Sequence, residues 1–73
     1  MGKVAYYPVL AGKIAERGIE KREIAAALSI KDKSFRNKLY GVTRFTWPEV
    51  NEIRDRFFPD MQLEELFRKR EGA

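Results

Sequence analysis

Lys33, Arg36 and Asn37 lie within one short stretch, interleaved with Phe35 and Leu39 at a four-residue spacing. On a helix that spacing stacks Phe35 and Leu39 on one side and leaves Lys33, Arg36 and Asn37 on the other. Lysine and arginine donate to phosphate oxygens or to guanine O6 and N7, and asparagine can pair bidentately with adenine. This face therefore has the chemistry of reading and holding an anionic polymer. The remainder of the chain offers no competing chemistry. It contains no cysteine and no histidine, which excludes disulfides, thiolate chemistry, histidine-ligated metal and a histidine general base. Its acids and lysines are scattered and no glycine-rich phosphate loop occurs. Neither an enzyme nor a cofactor is expected.

The elements that position this face are two short helices within Glu20 to Gly41, EKREIAAALSIKDKSFRNKLYG. In the first, Ile24, Ala25 and Leu28 share a side; Glu20 with Glu23 supplies half a capping box, the Ser or Thr being absent. Ala25, small, lets a neighbouring helix cross closely. Ser29 and Ile30 make the turn, with Ile30 expected between the helices. The second helix runs to about Tyr40, and Gly41 suits the left-handed residue that closes it. For its N-cap, spacing points to Lys31 and side-chain chemistry to Asp32. Both remain open at this stage.

Charge singles out the same segment. Residues 20 to 44 carry seven Lys/Arg against three Asp/Glu, while the rest carries eight of each, so the whole net charge of +4 lies there. This is the footprint expected of a phosphate-binding face.

The flanks read as packing elements of one 73-residue domain. Residues 1–6 are expected to be a loose tail. Pro8 opens a helix with Leu10 and Ile14 inward and Lys13, Glu16 and Arg17 wet, ended by Gly18. Ile19 is expected to cap the core. After the loop Val42 to Phe45, Thr46-Trp47-Pro48-Glu49 is a capping box with proline in the first turn. Val50, Ile53 and Phe57 form the expected buried stripe of that helix, which Pro59 stops. Asp60 or Gln62 opens a short fifth helix with Leu63, Leu66 and Phe67 inward and Arg68, Lys69 and Arg70 at its negative end. Residues 71–73 are expected to fray. The fold class is all-α, with five helices. The N-terminus is too weakly apolar for a signal peptide and no apolar run nears the ~20 residues of a membrane span, so a soluble cytoplasmic protein is expected.

In this order of helices, and in Ile24-Ala25, Leu28-Ser29-Ile30, Phe35, Leu39-Tyr40-Gly41, Phe45-Thr46 and Leu63 to Phe67, the chain resembles the lambda-repressor/Cro-like helix-turn-helix family, particularly short phage or prophage regulators. The resemblance spans roughly Leu10 to Phe67. It departs at Ser29, where the family usually has glycine, and at Lys31, where a Ser or Thr is common. It implies a compact DNA-binding domain whose third helix enters the major groove. The family's base-contacting positions fall on Lys31, Asp32, Lys33, Arg36 and Asn37, and Lys21, Arg22, Lys38, Tyr40 and Arg44 lie over the DNA backbone. The implied partners are double-stranded DNA and a second copy of the chain on a palindromic operator. The implied role is transcriptional regulation, with the protein on the nucleoid when bound. Trp47, Phe57 and Phe58 are candidates for a dimer interface, with ordinary core packing as the plainer reading. A different class is also compatible with the chain: a protein-interaction module of the same fold, an adaptor or antirepressor, whose basic face meets an acidic partner.

Overall fold

A computed structural model describes residues 5–70 of the chain. Five helices follow in order, α1 Pro8–Glu16, α2 Lys21–Ala27, α3 Asp32–Leu39, α4 Trp47–Phe57 and α5 Leu63–Leu66, with no strand among the described residues. None of these helices is long and apolar enough to cross a membrane.

Three of the helices stop in the same way. After α1, α2 and α3 a left-handed residue, Gly18, Ser29 and Gly41 respectively (φ +66°, +58° and +82°), turns the chain. The following N–H then reaches back: Ile19 to Ile14 O at 3.0 Å, Ile30 to Ala25 O at 3.0 Å and Val42 to Asn37 O at 2.8 Å. This is the Schellman closure, in which the residue after the left-handed one also turns its side chain back onto the helix. Ile19 and Ile30 duly pack, half-buried, against the core. Gly41 is doubly required, because a Cβ there would lie 2.7 Å from the Tyr6 ring.

Helix starts follow equally local rules. Thr46 and Glu49 exchange hydrogen bonds, Thr46 N–H to Glu49 Oε1 at 2.8 Å and Glu49 N–H to Thr46 Oγ1 at 3.4 Å. At α2 the returning half of the box is present, Glu20 N–H donating to Glu23 Oε2 at 2.8 Å. At α3 the N-cap is Lys31, whose side chain makes no capping bond, and Asp32 is the first helical residue. Asp32 still favours the start through the helix dipole. Gln62, not Asp60, caps α5.

The core consists of Tyr7, Leu10, Ile14, Ile24, Ala25, Phe35, Leu39, Ile53, Phe58 and Leu66. Helix α2 packs on α3 and α4, and α5 on α1 and α4. Two expectations are corrected here. On α4 only Ile53 is fully buried; Val50 and Phe57 are half-buried. Phe58 fills the core instead, because it leaves the helix at φ −138° and its ring swings inward. Tyr6 does not belong to a loose tail: its N–H donates to Leu39 O at 3.0 Å and its carbonyl accepts from Arg70 N–H at 2.8 Å. The expectations for residues 1–4 and 71–73 lie outside the described residues.

Arg17, expected to be merely wet, is a long-range fastener. Its guanidinium grips Asp60 at 3.0 and 2.7 Å, reaches Phe57 O at 3.3 Å and lies 4.9 Å from the Phe58 ring centroid. The hydrogen bond from Arg17 holds the Asp60 carboxyl below its ordinary pKa and, reciprocally, Asp60 raises that of Arg17.

Candidate nucleic-acid interface

The turn Leu28 to Lys31 sets α3 against α2, with Phe35 and Leu39 fully buried between α3 and the core. Burying that side forces the other outward. Lys33 and Arg36 are exposed and Asn37 is half-exposed. With Lys21 from the first turn of α2 and Tyr40 from the end of α3, they line one surface hollow of about 400 Å³. An adjoining hollow of about 380 Å³ is lined by Glu20, Lys21, Arg22, Asp32 and Arg36, so Lys21 and Arg36 serve both. Lys31 is exposed at the N-cap and lines neither.

The electrostatics of this face are those of unanswered charge. Among the described residues, Lys21, Lys31, Lys33, Arg36 and Arg44 enter no ion pair, whereas Arg22 pairs with Glu20. Several cations left unpaired around concave surface raise the local potential and attract phosphate.

Lys38, expected over the DNA backbone, differs from these cations in being engaged within the fold. Its ammonium lies 3.1 Å from Glu49 Oε1 and donates to Arg44 O at 2.9 Å, with side chains only 14% and 16% exposed for Lys38 and Glu49. Burial opposes ionisation of Glu49. The Thr46 N–H, the Lys38 hydrogen bond and charge, and the Thr46 side chain together outweigh it and hold the carboxyl below its ordinary pKa. The physical reason is position on the helix: Lys38 sits next to buried Leu39, where the first turn of α4 brings Glu49 alongside. It ties the end of α3, the loop and the first turn of α4 into one unit.

That loop is further held by Phe45, whose ring lies 5.4 Å from Tyr7, 6.0 Å from Phe35 and 5.5 Å from Phe67. Thr43 and Arg44, immediately before it, are thereby presented outward at the end of α3. Sequence reasoning missed two residues that come to the same place. Tyr6 is pinned to the last carbonyl of α3, and the Lys69 ammonium lies 5.8 Å from the Tyr6 ring centroid. No local spacing connects residue 6 or 69 with Arg44; only the lone glycine after α3, which leaves room for an aromatic ring, hinted at an approach there.

Of the three large aromatics and flanking apolar residues at issue, Phe58 is core, Phe57 is half-buried, and Trp47 and Val42 are 70% and 63% exposed. Comparison with models of protein families, with curated proteins and with solved structures gives no match to this chain.

Proposed function

We propose that this chain is a sequence-specific, double-stranded DNA-binding transcriptional regulator of the lambda-repressor/Cro helix-turn-helix kind, with α3 as the reading helix in the major groove. The observation that carries this reading is the convergence of Lys21, Lys33, Arg36, Asn37 and Tyr40 on one hollow between α2 and α3. Lys33 and Arg36 suit guanine and Asn37 suits adenine, while Lys21, Arg22 and Arg44 suit phosphates on either side. Asp32, which lines the adjoining hollow with Arg36, suits a cytosine amine. One such module covers a half-site. A homodimer on a roughly palindromic site, with half-sites about one helical turn apart, supplies the remaining affinity. The exposed Trp47 and Val42 are apolar surface available for pairing.

A mobility-shift titration of random-sequence duplex at two salt concentrations tests the phosphate contacts: affinity is expected to fall steeply with salt, by about 0.9 in log–log slope per phosphate contacted. Selection of bound duplexes from a random pool then tests reading, and a symmetric consensus is the expected outcome. Indifference to duplex DNA in both assays would sink the proposal. It would favour the adaptor reading, for which the exposed Trp47 and Val42 also speak.

A further inference from the structure

We infer that the hollow beyond the end of α3, lined by Tyr6, Tyr7, Thr43, Arg44 and Lys69, is a second phosphate site that holds the DNA backbone outside the α2–α3 face. The inference rests on the proposed DNA-binding function and extends its footprint to the C-terminal basic run Arg68-Lys69-Arg70.

The chain brings this site together from three distant segments. Arg70 N–H binds Tyr6 O, Tyr6 N–H binds Leu39 O, and Gly41 makes room for the Tyr6 ring, so Lys69 is delivered to the same rim as Arg44. The hollow, about 330 Å³, has two cations, a threonine hydroxyl and two phenols in its lining and no carboxylate. Neither Arg44 nor Lys69 forms an ion pair with a described residue. Burial first, and the neighbouring Tyr6 second, raise the Tyr7 pKa against the opposing charge of Arg44, so the phenol stays protonated and neutral.

The end of a helix is ordinarily a poor place for an anion, because its last carbonyls present negative charge. Here those carbonyls are all engaged. Arg36 O accepts from Tyr40 N–H, Asn37 O from Val42 and Thr43 N–H, Lys38 O from Gly41 N–H and Leu39 O from Tyr6 N–H. The last carbonyls of α3 are thus spent, in a lining that carries Arg44, Lys69 and the Thr43 hydroxyl. A tetrahedral phosphate, taking hydrogen bonds from a guanidinium, an ammonium and a hydroxyl, is the ligand class this set fits. A free phosphate ion and a phosphodiester of the DNA backbone share that chemistry.

The test compares salt slopes for duplex binding by the full chain and by Arg44→Gln, Lys69→Gln and Arg56→Gln, each checked for an unchanged melting temperature. Arg56 is exposed on α4 and paired with Glu52, so its loss removes equal net charge away from the hollow. The expected result is a slope smaller by about 0.9 for Arg44→Gln and again for Lys69→Gln, with Arg56→Gln unchanged. Equal changes in all three would overturn the site and leave only net charge. If the parent chain binds no duplex, the proposed function fails on its own. Titration with inorganic phosphate, followed at the Thr43 and Lys69 amides by NMR, then decides whether the hollow takes a free anion. Shifts at both amides that Lys69→Gln abolishes would support an anion site, and an absence of shifts would overturn it.

Discussion

Two regions of this small domain treat their charges in opposite ways. On the side built by α1 and α4, cations are answered by carboxylates: Lys13 by Glu16 at 3.3 Å, Arg17 by Asp60, Arg54 by Asp55 at 2.7 Å and Arg56 by Glu52. On the side built by α2 and α3, Lys21, Lys33 and Arg36 surround a hollow with no such answer among the described residues. Exposed ion pairs contribute little to stability, a median of about 0–1 kcal/mol each, so pairing is not what folds the chain. What the contrast teaches is where charge is available to something else. A net charge of +4 could be spread for solubility; concentrated and unpaired on one face, it leaves those cations available to an anionic partner, as the proposed function requires.

Both sides depend on one core, and the largest expected effect comes from removing its support for both at once. Phe35 is completely buried beneath the α3 face. Phe35→Ala is expected to cost about 3–5 kcal/mol, most of the stability of a domain this small. Thermal unfolding followed by circular dichroism should show the cooperative transition lost or lowered by tens of degrees. A shift of only a few degrees would mean that α3 is held by something other than this core. The next effect separates the sides. Arg36→Ala and Asn37→Ala, on the unanswered face, are expected to weaken cognate DNA binding by about 1–3 kcal/mol each and to flatten sequence preference, with melting unchanged. Lys21→Ala should weaken all duplexes alike. Equal losses on random and cognate duplex for all three would reduce the face to a backbone contact.

The Lys38–Glu49 pair stands at the boundary between the two sides, and its effect is smaller and dependent on pH. Glu49 has a depressed pKa in the folded chain, so its contribution to stability is present above the ordinary carboxylate value and is lost as pH falls through the lowered folded value. Glu49→Gln should therefore melt below the parent at neutral pH, with the gap closing as pH falls below the ordinary carboxylate range. Asp60, also depressed, titrates in the parent and the variant alike and cancels from the difference. A gap that does not narrow on acidification would show that Lys38 is held by the Arg44 carbonyl and packing rather than by the carboxylate.

What was legible in the sequence is what the chain decides within a few residues. The Thr46–Glu49 box, Pro8 in a first turn, and Gly18 and Gly41 at helix ends are satisfied by neighbours in the chain, so spacing reveals them. The exposed side of α3 was legible for the same reason: burying Phe35 and Leu39 leaves Lys33, Arg36 and Asn37 no other direction. The rest depends on partners far away in the chain. Lys38 reads as one more cation until α4 is packed beside it. The choice of Phe58 over Phe57 turns on where the last helical bond of α4 falls. Arg17 with Asp60, and Tyr6 with Leu39 and Arg70, join segments that no periodicity relates.

The smallest effect sharpens the comparison at the turn that sets α3 against α2. The same Schellman position is filled by Gly18 after α1, Ser29 after α2 and Gly41 after α3. A side chain in the left-handed region costs about 1–2 kcal/mol, and glycine returns about 0.4–1 kcal/mol of that by loosening the unfolded chain. Ser29→Gly should therefore stabilise the domain by about 0.5 kcal/mol, which raises melting by roughly 2–4 °C at this size. Gly41→Ala should do the reverse, since it adds both the left-handed strain and a collision with the Tyr6 ring. DNA affinity is the informative readout for Ser29→Gly. Serine already adopts the left-handed angle at φ +58°, so the α2–α3 angle has no reason to change and affinity should stay level while melting rises. A rise in melting accompanied by a change in sequence preference would show instead that serine holds α3 at an orientation glycine does not reproduce.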